Sequence, residues 1–256
     1  MMDNLKQPVL WAQKLHKAFG DQTAVEEISF HLDPGEILGV VGPNGAGKTT
    51  TIRMLMNIIA PDRGQISFRG KPFEESLKDQ IGYLPEERGL YRKLSIQETL
   101  LLFGRLKSIK RADILPLAEP WLRRLDLWDH RHKKVEALSK GMAQKLQILT
   151  TLLHRPHLLV LDEPFSGLDP VNVELIKNLI LEEKKRGAAI IFSTHLMDWA
   201  EKMVDRVIMI HRGTVVLEGS LEEIQGRFGD RFVHIRYRGD GHQIARLPMV
   251  QSVTDF

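Results

Sequence analysis

The sequence predicts an α/β fold: a core built on a parallel sheet, a small antiparallel β subdomain, a helical insert and a short C-terminal β appendage. Three observations predict it. The apolar run Ile37 to Val41 feeds a glycine-rich loop, Gly42 to Gly47, which hands over to a helical pattern at Ile52, Leu55, Met56 and Ile59. Two further continuous apolar runs, Leu158 to Leu161 and Ala188 to Phe192, have the character of strands buried on both faces. Between these runs Val171 to Lys185 reads as a crossover helix, which completes a βαβ unit.

Taken in order, Val9 to Leu15 and Ile28 to Leu32 read as strands, and Asp33-Pro34-Gly35 is a turn before the strand that enters the loop. Gln65 to Arg69, after Asp62-Arg63-Gly64, joins them in an antiparallel sheet beside the core. From Leu94 to Leu153 the apolar spacing becomes helical, through Ile96, Leu100, Phe103 and Leu106, then Leu117, Trp121, Leu122 and Leu125, then Leu146, Leu149, Leu152 and Leu153. Strands return at Arg206 to Ile210 and, after the turn His211-Arg212-Gly213, at Thr214 to Glu218. In the tail, Val233, Ile235 and Tyr237 alternate with His234, Arg236 and Arg238, the pattern of a half-buried strand.

The loop after the first buried strand carries the chemistry. Gly42-Pro43-Asn44-Gly45-Ala46-Gly47-Lys48-Thr49 fits G-x-x-x-x-G-K-[ST], a phosphate-binding loop, with Thr50 next to it in the following helix. Glycines let backbone N–H groups close around an anion, a lysine reaches the β- and γ-phosphates, and the Thr49 hydroxyl can ligate Mg²⁺. The positive end of the helix points at the same anion. This stretch predicts nucleoside triphosphate binding without naming the nucleotide.

The remaining composition narrows the class. In 256 residues the formal net charge is +3, too small to argue for nucleic acid, and the basic runs Arg105 to Arg111, His130 to Lys134 and Lys184 to Arg186 read as solvated helical faces or ends. There is no cysteine, which leaves no disulfide and no thiolate metal site. The histidines His130, His132, His154 and His157 form no set with metal-ligand character and read as surface or helix-end residues. No run of about 18 apolar residues occurs, so the expected location is cytoplasmic, with any membrane role passing through a partner.

Two acids, Asp162 and Glu163, close the apolar strand at Leu161, where packing explains them poorly. Phosphoryl transfer explains them well: Asp162 supports Mg²⁺, and Glu163 orients and deprotonates the attacking water. Together with Leu138-Ser139-Lys140-Gly141-Met142, Ser166-Gly167-Leu168-Asp169 and His195, these residues stand in an order that resembles the ATP-binding-cassette (ABC) ATPases. The resemblance covers roughly residues 8 to 220, and the Leu138 to Met142 signature is its most specific part.

The resemblance implies a phosphate-loop (RecA-like) core within an ATPase domain over residues 1–220, with a helical subdomain at about 90–155 and residues 221–256 as the β appendage. It further implies ATP and Mg²⁺ as cofactors. Phe19 matches the aromatic that stacks on adenine. Ser139 and Gly141 match residues that contact the γ-phosphate bound to the opposite subunit, so that two copies sandwich two ATP molecules head to tail. Asp169 matches the loop that couples the two sites, and His195 the histidine that contacts the γ-phosphate and the water.

Two positions depart from the family. Glu86, in Tyr83-Leu84-Pro85-Glu86-Glu87-Arg88, stands where a glutamine usually touches Mg²⁺; a carboxylate can ligate the same ion. Lys140 and Met142 replace the third and fifth residues of the usual Leu-Ser-Gly-Gly-Gln. Both departures are similar to ATPase subunits of ABC-2-type exporters, which implies an integral-membrane permease as the second partner and a peripheral position on the inner face of the membrane. The alternative is a soluble ABC ATPase not coupled to transport. Its DNA-maintenance form needs a long coiled coil, for which Gly70 to Leu138 is too short, and its translation form usually carries two cassettes. An unrelated phosphate-loop GTPase or kinase is a third class, disfavoured because Asn-Lys-x-Asp is absent.

Overall fold

The computed structural model describes residues 7–87, 89–195, 201 and 203–228. Apolar alternation in the first thirty residues produces two long antiparallel strands, β1 (Leu10–Phe19) and β2 (Gln22–Leu32), joined by a tight turn. With β4 (Arg63–Phe68) and β5 (Lys71–Pro72) they form a four-stranded sheet in the order β2-β1-β4-β5. Both strands run longer than their alternation suggests, because bulges at Lys14 and Glu27, each with positive φ, reset the in/out phase.

The continuous apolar runs become the interior of a six-stranded sheet. β3 (Ile37–Val41), β7 (Leu158–Asp162) and β8 (Ala189–Thr194) are buried along their whole length. The order is β10-β9-β3-β8-β7-β6, with β6 (Ile81–Leu84) on one edge, and β9 (Arg206–His211) and β10 (Thr214–Ser220) as a hairpin on the other. All pairings from β9 to β6 are parallel. The register sets Val41 beside Thr194 and Asp162 beside Ser193, so the loops leaving β3, β7 and β8 emerge at one edge. The crossover helix α5 (Pro170–Lys185) begins at Pro170, whose missing N–H costs nothing at a first turn, and is capped by Asp169.

Three helices fill the insert: α2 (Ile96–Leu106), α3 (Arg111–Arg124) and α4 (Lys140–Leu152). Ser95 starts α2 with a reciprocal cap, its hydroxyl accepting from Glu98 N at 3.2 Å while Ser95 N donates to Glu98 at 2.8 Å. The insert is fastened to the core at several points. Arg124 makes a two-pronged pair with Glu182 of α5 at 2.6 Å on each arm, while within the insert Lys145 of α4 donates to Leu125 O at the end of α3 at 3.1 Å. Lys107 donates to the carbonyls of Lys78 and Ile81, and burial lowers its pKa.

The basic runs are largely exposed, as expected, at Arg105, Lys110, Arg111, His132, Lys133, Lys134 and Lys185, but others of their residues are tied to partners. Lys107 is turned inward, Lys184 pairs with Asp205 at 2.5 Å, and Arg186 donates to Glu183 and to Pro156 O. In each case a cation at a helix end finds a carbonyl or carboxylate of the core. The edge strand β6 carried no sequence signal; it is four residues long and contains Gly82, whose place is set by packing. A Cβ there would lie 2.6 Å from Thr151 O, so α4 approaches β6 at backbone distance.

By its contacts the chain divides into Met1–Leu221 and Glu222–Phe256. Leu221–Phe228 is a helix, α6, so the β character expected of the tail does not reach its first residues. The alternating stretch Val233 to Tyr237 lies outside the described residues.

His154 sits in the seam between the insert and β6, and it is more than the surface residue expected. Its Nε2 lies 3.2 Å from Ile81 O; a carbonyl only accepts, so Nε2 carries the proton and the buried Nδ1 has no partner. Burial first, then the Lys107 charge, lowers its pKa to about 4, with Arg186 acting in the same direction and Asp79 against it. The folded pKa lies below the unfolded value of about 6.5, so the stability held by neutral His154 is complete above that pH and drains away as pH falls toward 4. Chemical denaturation from pH 7.5 to 4.5 should show a loss of about 2 kcal/mol from this residue. His154→Gln, which can still donate to Ile81 O, should flatten that part of the profile, and an unchanged slope would remove the assignment.

Candidate functional site

The site begins with two glycines that no other residue could replace. Gly42, at φ 153°, leaves β3 so close to the β9–β10 hairpin that a Cβ would lie 2.2 Å from Ile210 O. Gly47, at φ 108°, caps α1 (Lys48–Leu55), and a Cβ there would lie 2.5 Å from Ala24 O of β2. The loop between them is thus clamped between the two sheets, with Gly213 N donating to Ala46 O at 2.8 Å. Lys48 is buried, and its ammonium donates to Gly42 O at 2.7 Å and Pro43 O at 3.1 Å. Its charge is held where the loop's amides and the α1 N-terminus converge.

Beside this cradle stands Asp162, 1% exposed at the end of β7. Its Oδ1 accepts from the Ser193 hydroxyl across the β7–β8 pairing, while Oδ2 is buried with no hydrogen-bond partner. Burial pushes this carboxyl above the usual carboxylate range, against the pull of the Ser193 and Thr49 hydroxyls; Thr49 faces the carboxylate without pairing to Oδ2. A bare carboxylate oxygen beside a threonine hydroxyl, at a phosphate cradle, is the donor set of a hard divalent cation that keeps water and phosphate oxygens as its other ligands. The residues therefore fit Mg²⁺. The neighbouring Tyr83 phenol is pushed up to about 12, mainly by burial and then by Asp162, and stays neutral.

Glu163 follows with φ 49°, a left-handed conformation that costs a non-glycine residue about 1–2 kcal/mol and turns its side chain back toward the loop. Its Oε1 accepts from His195 N at 3.0 Å and lies 2.8 Å from His195 Nδ1. Among the described residues its Oε2 has one long contact, 3.4 Å, from the Thr194 hydroxyl. The acid is 9% exposed, whereas the histidine side chain is half-exposed. Carboxylate, imidazole and cradle thus stand together because β3, β7 and β8 are adjacent and parallel.

The loop and Glu163 border a cavity of about 530 Å³, while Asp162 and His195 stand behind its wall, touching it through Thr49 and Glu163. Its wall includes Asn44 to Thr50, Glu163, the half-exposed ring of Phe19 at the end of β1, and Glu86 beyond β6. Sequence reading missed part of that wall: Gln22, Thr23 and Ala24 at the start of β2, and Arg212-Gly213 in the hairpin turn. Arg212 was visible only as a turn residue, because its approach to the loop is a contact between distant elements.

Ser139, Gly141 and Asp169 do not border the cavity. Ser139 caps α4, its hydroxyl accepting from Met142 N at 3.2 Å, and is exposed. Lys140 is the first residue of α4 and is exposed, so the long side chain leaves the cap intact. Gly141 is next to the start of α5, where a Cβ would be 3.8 Å from Asn172 Nδ2. Asp169 accepts from Asn172 N at 3.0 Å and Nδ2 at 2.5 Å, which lowers its pKa. Signature and Asp169 loop form a second polar surface, separate from the residues that border the cavity.

Comparison with known proteins agrees with this arrangement. The family model described as ABC transporter matches residues 25–166. Relatives include the ABC transporter ATP-binding protein YhaQ of Bacillus subtilis strain 168, 42% identical over 88% of this chain and 75% of its own length. Another is the Nod factor export ATP-binding protein I of Paraburkholderia xenovorans strain LB400, 37% identical over 81% of this chain and 69% of its own length. A solved ATP-binding subunit of an ABC transporter superimposes with a TM-score of 0.81 at 33% identity, covering 86% of this chain and 93% of that one. The phosphate cradle, the acid pair and these likenesses lead to one conclusion: the chain belongs to the ABC transporter family, as an ATP-binding, ATP-hydrolysing subunit.

Proposed function

We propose that this chain is the motor of an ABC-2-type exporter, working as a head-to-tail pair of copies that drives a separate integral-membrane permease. The observation that carries the pairing is the separation of its two polar surfaces. The cradle wall holds Lys48 and Glu163, while Ser139 and Gly141 lie elsewhere on the same chain. A hydroxyl, a backbone N–H and a helix N-terminus make a ready anion site, and a second copy related by a twofold axis brings it over the first copy's γ-phosphate. Export is supported by the Nod factor export relative and by the Glu86 and Lys140 departures. Among the described residues no helix is long and apolar enough to cross a membrane, which suits a motor whose membrane path is in its partner.

In this reading Phe19 stacks on the adenine, and the amides of Asn44 to Thr50 wrap the phosphates. Lys48 exchanges its two carbonyl partners for β- and γ-phosphate oxygens. Thr49, Asp162 and Glu86 hold the Mg²⁺, which neutralises charge on the β- and γ-phosphates. Glu163 presents Oε2 to a water in line with the γ-phosphorus. As the water oxygen bonds to phosphorus, its proton passes to Glu163 and the bond to the β–γ bridging oxygen breaks. His195, its Nδ1–H held by Glu163 Oε1, presents its other ring nitrogen, Nε2, to the γ-phosphate oxygens, to which it donates as the doubly protonated imidazolium. Asp169 shapes the α5 N-terminus at the junction of the two copies.

Glu163→Gln should keep ATP affinity and lose turnover by about 10²-fold or more in a phosphate-release assay. Turnover near the wild-type rate would remove the general-base role. Lys48→Ala should weaken ATP about 10–100-fold in a direct binding titration, the loss expected of a charge-assisted contact. Unchanged affinity would place the phosphates elsewhere.

A further inference from the structure

The helix that begins at the signature also reaches under both catalytic loops. Gln144, Gln147 and Thr151 lie at i, i+3 and i+7 on α4, one stripe of one face, and all three are buried. Gln144 Nε2 donates to Pro164 O at 3.0 Å, one residue beyond Glu163. The Thr151 hydroxyl contacts Tyr83 O at 3.4 Å. Between them Gln147 Nε2 makes two long, weak contacts, to Pro85 O and Glu87 O, 3.4 Å from each. Those two carbonyls bracket Glu86.

Packing does not explain a glutamine here. Gln147 is 4% exposed, and its Oε1 is buried with no partner. An apolar side chain of the same volume would fill the space with no unpaired acceptor. What the amide supplies is one donor group touching both neighbours of an acid on the cavity wall. The Gln147 carbonyl in turn accepts from the Thr150 and Thr151 hydroxyls, at 2.7 and 2.9 Å.

We propose that Gln147 is a positioning residue for the nucleotide site: its amide clamps the carbonyls of Pro85 and Glu87, and thereby holds the Glu86 carboxylate at the metal side of the cavity. The inference rests on the reading of Glu86 as a metal ligand. Removing the clamp weakens the metal without touching the phosphate cradle, because Lys48 is held by carbonyls of its own loop and that loop packs against β2 and the β9–β10 hairpin rather than α4.

The test is a Mg²⁺ titration of the full chain at saturating ATP. The readout is the Mg²⁺ concentration that gives half of the nucleotide-dependent rise in unfolding temperature, with hydrolysis followed in parallel. Gln147→Met should raise that concentration about tenfold, the usual cost of removing a group that orients a metal ligand. ATP affinity in the presence of a chelator should not change. Gln147→Asn, whose amide is one methylene short, should shift it in the same direction and guards against a Met variant that folds poorly. Glu86→Ala should give a similar shift, and Glu86→Ala/Gln147→Met no more than either alone.

If both Gln147 variants lower the unfolding temperature but leave the Mg²⁺ midpoint in place while Glu86→Ala moves it, the clamp is structural only and the proposal falls. Additive shifts in the double variant would place the action of Gln147 away from Glu86 and overturn it equally. If Glu86→Ala itself leaves the midpoint unchanged, the ligand reading of Glu86 fails, and the clamp proposal with it.

Discussion

The site depends on one carboxylate that the fold buries and only half satisfies. Asp162 is carried to the end of a strand with no exposed residue, where its Oδ1 is tied to Ser193 on the neighbouring strand and its Oδ2 is left bare. Leaving a buried acceptor unpaired costs roughly 1–3 kcal/mol, and a fold accepts that cost where a ligand recovers it. Everything else is arranged around that atom by the parallel register. Val41, Asp162 and Thr194 are strand-end neighbours. The phosphate loop, Glu163 and His195 are simply the residues that come next.

The strain at Glu163 belongs to the same design. A glutamate at φ 49° gives up stability to place its carboxylate against His195 and the cavity together. Its carboxylate oxygens are unequal: one is held by two nitrogens of a single residue, and the other, among the described residues, meets one distant hydroxyl. That asymmetry orients the acid before any substrate arrives, which is where much of the catalytic advantage of a fixed site lies.

Much of this was legible in the sequence wherever local pattern and chemistry coincide. The strand, loop and helix from Ile37 to Leu55 are specified by an apolar run, glycines and helical spacing, and Asp162-Glu163 stand out because acids are out of place at the end of a buried run. The legible part stopped where tertiary approach decides. β6 has four residues and a glycine, and its identity comes from α4 lying at backbone distance from Gly82. Arg212-Gly213 reads only as a turn, yet it braces the loop through Ala46. Lys107 and His154 read as surface groups because nothing local reveals that they face the carbonyls of β6. The strand ends of β1 and β2 were hidden by bulges, which break the alternation that would have extended them.

In the proposed pairing, one chain carries two halves of a site, a cradle and a signature surface, that only a second copy can bring together. The most direct measurement is the mass in solution of Glu163→Gln protein, by size exclusion with light scattering, with and without saturating Mg²⁺-ATP. The mass should change from one chain to two on adding nucleotide. A protein that binds ATP to saturation and stays at the mass of one chain would contradict the proposed pairing.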